Sequence, residues 1–292
     1  MILKEVRNNK IESYFIISLF IIFVMLIVYF ICIYLELGSF SIIIALVFAL
    51  ISAVASYYSC DTLVLSINGA RPATEEQDKL LSSILDNLCI ASGLPRPKLY
   101  VINDSSPNAF ATGRNPQNAF ICVTTGLLEK MNKYELEGVI AHELSHIKNY
   151  DILLSTIVSV FVGFVVIISD FIFRFGFMRS RDRDSKSNPI IMLIGLLFLL
   201  LSPLFATLMQ LALSRKREYL ADSSAIEITR NPEGLISALK KLDDDPTNLK
   251  AANKATAHMY IVNPLKSKKE KTNLFSTHPP ISERIKRLEH IN

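Results

Sequence analysis

Two stretches of this chain, Ser13 to Leu35 and Ser39 to Tyr58, contain no charged residue. Each is long enough to cross the hydrocarbon core of a bilayer as a helix. Water is absent there, so a spanning segment must satisfy every backbone amide internally, and a helix does this within one segment. Two further apolar runs, Ile152 to Phe173 and Pro189 to Leu213, are equally long, although Asp170 lies near the end of the first. Hydrophobic residues make up 50% of the chain and charged ones only 20%, which fits a membrane protein with a water-exposed part. The first run has no small-residue cleavage site after it. It leads through Glu36-Leu37-Gly38 into the second, and the pair reads as an uncleaved transmembrane hairpin.

Basic residues set the expected orientation. Lys4, Arg7 and Lys10 precede the first run, Lys148 precedes the third, and Arg215, Lys216 and Arg217 follow the fourth, which places these flanks in the cytoplasm. The loop between runs three and four holds Arg174, Arg179, Arg181, Arg183 and Lys186 where an outside loop is expected, so either the rule is broken there or runs three and four form a hairpin that does not fully cross. The net charge of +4 is carried beside the membrane runs, so nucleic-acid binding is not expected. Cys32, Cys60, Cys89 and Cys122 show no paired spacing and are expected as free thiols.

The expected organisation is a membrane hairpin over residues 1–60, a polar region over 61–151, a second hairpin over 152–213 and a second polar region over 214–292. Thr74 with Gln77 has the pattern of a capping box, and Gly93 with Pro95 stops the helix that follows. Lys98 to Ile102 reads as a strand. Residues 108–112 and 119–123 flank turn chemistry at Gly113 to Asn118 and read as a β-hairpin. Asn132 with Glu135 caps the next helix. Helices are also expected from Ser214, from Asn231-Pro232 and from Pro280, with residues 243–278 as a flexible loop or lid.

The capped helix carries His142-Glu143-Leu144-Ser145-His146. Residues four apart share a helical face, so both imidazoles can reach one ion, and Glu143 is offset enough to hold a water without ligating. Zinc suits imidazole and keeps an open position for that water in catalytic sites. A third ligand is then required. Glu218 and Asp222, also four apart, could supply a ligand and the acceptor for a histidine's other ring nitrogen. Their spacing fits ordinary ion pairs with nearby basic residues equally well.

Taken together, Asn108 to Gly113 (NAFATG), HELSH, a membrane hairpin, Arg217 to Asp222 (REYLAD) and STHPPISERI near the end resemble the HtpX family of integral-membrane zinc metallopeptidases, distant relatives of the CAAX prenyl proteases. The resemblance implies four transmembrane helices and a cytoplasmic α+β zincin-like domain with a small antiparallel sheet. It also implies one zinc ion on His142, His146 and Glu218, and Glu143 as general base. It brings His278 and Arg284 to the active site as donors able to stabilise the oxyanion of a tetrahedral intermediate, and it makes Asn108, Ala109 and Phe110 part of an edge strand that pairs with substrate. His258 and His290 have no partner pattern and are expected at the surface. The implied activity is hydrolysis of misfolded or damaged membrane proteins, with self-cleavage included. The alternatives are a membrane scaffold or chaperone with a structural metal, and a protease for prenylated peptides.

Overall fold

The computed structural model describes residues 2–34, 38–161, 215–250, 253, 255–264 and 278–290. The fourth apolar run, the basic loop before it and the third run beyond Phe161 lie outside the described residues. Helices α1 (Ile2–Tyr34) and α2 (Ser41–Ile67) pack against each other through a short turn at Gly38–Phe40. Both are long and apolar enough to cross a membrane. Phe15, Ile42, Ile43, Phe48, Ile51 and Val54 face outward from them, a surface suited to lipid rather than water.

Helix α3 (Glu75–Ser92) starts at the capping box of Thr74 and Gln77 and ends at Gly93, which takes the left-handed conformation that lacks a Cβ penalty in glycine. Leu81, Leu85 and Leu88 recur on one face and bury it against the sheet and α5. Four strands, β1 (Arg71–Pro72), β2 (Lys98–Ile102), β3 (Ala109–Gly113) and β4 (Ala119–Thr124), lie in the order β1-β2-β4-β3. β3 and β4 form the expected hairpin, with Gly113 opposite Ala119.

The sheet is mixed, not antiparallel as expected, because β2 pairs with β4 in parallel. The cause lies in the connection from β2 to β3. The Asp104 carbonyl accepts from the Gly126 amide, and the Asn108 amide donates to Thr124 Oγ1, so this segment arches over the end of β4. β4 is thereby held centrally and β3 becomes the edge.

A short helix, α4 (Thr125–Lys130), and a longer one, α5 (Lys133–Lys148), follow the sheet. Asn132 and Glu135 form the expected capping box on α5. Helix α6 (Asp151–Phe161) begins after a single left-handed residue, Tyr150, with φ 61°. Across α5 lie α7 (Arg215–Thr229) and α8 (Pro232–Asp244), and α9 (Ile281–Glu289) covers α7 and α8.

The α5–α8 crossing depends on glycine. A Cβ on Gly138 would sit 2.7 Å from the backbone nitrogen of Leu235, and one on Gly234 would sit 2.5 Å from the Tyr134 carbonyl oxygen. Replacing a mid-helix glycine by alanine gains roughly 1 kcal/mol of helix propensity. Here the obstructing atoms are backbone, so the helices must separate, at an overpacking cost of about 1–3 kcal/mol or more. Gly138→Ala is therefore expected to lower the thermal unfolding midpoint.

Residues 255–264 are not the loop that their polar surroundings suggested. Tyr260 is fully buried, stacks edge-on against Phe110 at 4.9 Å and donates its hydroxyl to Asn68 Oδ1 at 2.9 Å. The Ile261 amide donates to the Ala109 carbonyl on β3. A short apolar run, Met259-Tyr260-Ile261-Val262, docks this segment and could have been read as such.

Candidate metal centre

Helix α5 presents its histidines inward because its other faces bury Val139, Ile140, Leu144 and Ile147. His142 and His146 lie with ring planes at 89° and their Nε2 atoms 3.2 Å apart. Glu218, in the first turn of α7, reaches them: its Oε2 is 3.8 Å from His142 Nε2 and its Oε1 is 3.6 Å from His146 Nε2. The three residues form a group able to hold one metal ion, with ligand atoms all within 4.8 Å of one another. Imidazole–metal distances of about 2.0–2.1 Å at tetrahedral angles put ligand atoms about 3.3 Å apart, close to what is seen. Glu218 Oε2 and both carboxylate oxygens of Glu143 are buried and have no hydrogen-bond partner of normal geometry among the described residues. Buried orphans of this kind are costly unless a further group meets them. The donor set thus fits a metal ion and its water.

The outer nitrogens of both rings are held. His142 Nδ1 lies 3.0 Å from Asp222 Oδ1, and His146 Nδ1 lies 3.0 Å from Asp151 Oδ2. Such contacts fix the tautomer that leaves Nε2 free for a metal. Burial pulls the His146 imidazole down, but the carboxylates of Asp151, Glu218 and Glu143 outweigh it and raise it to about 9. Burial lowers His142, against the opposing pull of Asp222. Burial also pushes the Glu143 carboxyl up to about 7, aided by Glu218 and opposed by His146 and Arg284.

Arg284 lies behind His142 and is fully buried. Its Nε and Nη2 donate to the two oxygens of Asp222 at 2.8 and 2.6 Å, and its Nη1 donates to the Ile261 carbonyl at 3.1 Å. The same Nη1 lies 3.6 Å from Glu218 Oε2. This geometry differs from the expected open oxyanion donor, because the guanidinium fork is occupied by Asp222. The paired charge keeps the Asp222 carboxyl far below the ordinary carboxylate range despite its burial.

His278 does line the cleft, a space of about 470 Å³ shared with Ala111, Glu143, His146, Glu218 and His258. Of the edge-strand residues expected to meet substrate, none of Asn108, Ala109 and Phe110 lines it. Asn108 Nδ2 donates to the Val262 carbonyl, the Ala109 carbonyl is taken by Ile261, and Phe110 is in the core. Ala111, on the same face as Ala109 but beyond the segment that covers it, lines the cleft instead.

His258 corrects a sequence expectation. It is buried in the cleft wall, its Nε2 3.2 Å from the Ser155 carbonyl, whereas His290 is exposed as expected. Asp151 was not singled out from the sequence at all, although it ends the same motif as the histidines.

Burial lowers the His258 imidazole to about 4 from an ordinary 6.5. Between those values the unfolded chain binds a proton that the folded chain refuses. The stability from neutral His258 is therefore complete above about pH 6.5 and falls, by at most about 1.4 kcal/mol per unit, as pH drops towards 4. Thermal unfolding at about pH 7.5 and about pH 5 is expected to show a smaller drop for His258→Gln than for the unaltered chain.

A helix carrying two inward histidines and a buried glutamate beside them, met by a carboxylate from a second helix, belongs to the class of metal-dependent peptidases. Residues 75–292 match the model of Peptidase family M48, and the chain belongs to that family. A relative described as a Protease HtpX homolog from Dictyoglomus turgidum is 46% identical over 285 residues, covering 98% of this chain and 93% of its own. Another Protease HtpX homolog, from Listeria monocytogenes, is 42% identical over 304 residues and covers both chains fully. The crystal structure of S. mikatae Ste24p shares the fold at a TM-score of 0.52 and 20% identity, over 98% of this chain and 67% of that one. The molecule is a membrane metalloprotease: its cofactor is a metal and its substrates are polypeptides.

Proposed function

We propose that the chain is a zinc endopeptidase, spanning the membrane four times with its site facing the cytoplasm, that cuts misfolded or damaged membrane proteins and on occasion itself. The observation that supports this most directly is the convergence of His142, His146 and Glu218 beside the buried carboxylate of Glu143. In this reading residues 61–151 and 214–292 build one catalytic unit, and the second membrane hairpin joins its two halves.

Bound zinc would supply Lewis acidity and a lowered pKa for its water. His142, His146 and Glu218 would hold the ion, while Asp222 and Asp151 hold the rings. Glu143 takes the proton from the attacking water and passes it to the departing amine, a task suited to a buried carboxyl near neutrality. The substrate backbone pairs with β3 at Ala111, while Asn108 secures the 255–264 segment beside that edge. His278 donates to the developing oxyanion, and Arg284 acts through Asp222 and Glu218. A scaffold with a structural metal has no use for a buried glutamate beside the ligands, which speaks against that alternative.

Chain purified with chelator and restored with zinc is expected to bind the ion and cleave an unfolded model protein. Glu218→Ala is expected to lose zinc affinity by 10-fold or more, roughly the cost of disturbing even an outer-sphere partner. Unchanged zinc binding in that variant would remove Glu218 from the ligand set.

A further inference from the structure

We infer that the first membrane helix is a working part of the metal centre: Asn9 on α1 holds Asp151, and Asp151 orients His146. The inference rests on the metal reading above and extends it into the membrane anchor.

Asn9 is buried, at 3% exposure, although it lies just ahead of an apolar stretch. Its Nδ2 donates at 2.6 Å to Asp151 Oδ1 and at 2.8 Å to the Asn149 carbonyl. The other oxygen of Asp151 is the one that meets His146 Nδ1 at 3.0 Å. A single amide thus ties the open carbonyl end of α5 to the first residue of α6, across the left-handed joint at Tyr150. The same turn of α1 makes two more contacts. Lys10 Nζ sits 4.0 Å over the Tyr150 ring, and Glu12 pairs with Arg217, the neighbour of Glu218. Helix α1 therefore grips both halves of the site, one through His146 and one beside Glu218.

A carboxylate has about four acceptor sites, and a histidine occupies only one. Left alone, buried Asp151 would be poorly solvated and free to turn away from the ring. Asn9 satisfies its second oxygen with a neutral donor, which fixes the carboxylate without cancelling the charge that His146 needs. Arg217 Nε, at 3.7 Å from Asp151 Oδ1, is too distant to do this by a direct hydrogen bond. An asparagine at the edge of an apolar helix is costly unless partnered, and these partners exist only when α1 is docked. The consequence is an order of assembly. The ion is held tightly only after the first membrane helix is in place, so a chain still inserting does not yet cut.

The test uses the full chain in lipid nanodiscs and reads zinc affinity against a competing chelator, with thermal unfolding of the zinc-free protein measured separately. Asn9→Ala is expected to weaken zinc binding about tenfold, the lower end of the range for outer-sphere partners. Asn9→Asp, nearly isosteric but facing acceptor with acceptor, is expected to weaken it further, and it serves alone should the alanine variant not fold. In the Asp151→Ala background, Asn9→Ala is expected to cost nothing more. Val24→Ala, which loosens the packing of α1 elsewhere, should lower thermal stability and leave zinc affinity unchanged. Wild-type zinc affinity in Asn9→Ala or Asn9→Asp would overturn the inference, as would an equal loss in Val24→Ala. Zinc binding that survives His142→Ala and His146→Ala would instead overturn the metal assignment itself.

Discussion

Glu143→Gln is expected to lower kcat/KM for peptide hydrolysis by about 10²–10⁴-fold while zinc content stays at the wild-type level. The substitution keeps the shape of a side chain whose two oxygens are buried and have no hydrogen-bond partner of normal geometry among the described residues, and it removes only the proton acceptor. The two readouts must part. Loss of activity with loss of metal would mean that Glu143 supports the site rather than the reaction, and undiminished cleavage would sink its role as base. Burial, aided by Glu218 and opposed by His146 and Arg284, brings the carboxyl to about 7, so its hold on a proton is neither too weak nor too strong for transfer near neutrality. An ion on the neighbouring ligands would draw that value down again, favouring the ionised base.

The half of the site written in one helix was legible in the sequence, because a helix converts a spacing of four into a shared face without help from the rest of the fold. The same holds for the capping boxes at Thr74 and Asn132 and for the β3–β4 hairpin, whose determinants lie within a few residues. Glu218 and Asp222 were legible only as a pair with two meanings. What separates those meanings is the approach of α7 to α5, and the sequence between them carries no record of it. The parallel pairing of β2 with β4 depends on an arch of hydrogen bonds, and composition does not encode such a path. Asn9 and Asp151 are a limiting case: two polar residues more than a hundred positions apart choose each other only when α1 docks. His258 was missed for a different reason. Its polar neighbours outweighed the apolar run after it, which buries the whole segment against Phe110 and Asn68.

Arg284→Met is expected to destabilise the folded chain by about 3–5 kcal/mol, the usual result of removing one partner of a buried ion pair. The argument turns on what is left behind. Asp222 would keep its burial and its contact with His142, but lose the guanidinium that supplies two of its hydrogen bonds. Its cheapest response is to take up a proton, and a neutral Asp222 is a weaker acceptor for His142 Nδ1. Zinc affinity is therefore expected to fall about 10–100-fold in the folded fraction, together with the thermal midpoint. An arginine that served only the transition state would behave otherwise, with kcat lowered and both metal affinity and midpoint kept. Adding Asp222→Asn should return part of the lost stability, because the uncompensated charge disappears with its carboxylate. It should not return the zinc affinity, since the amide cannot hold the His142 ring as a carboxylate does. That split, with stability rescued and metal binding not, is the result a positioning arginine requires.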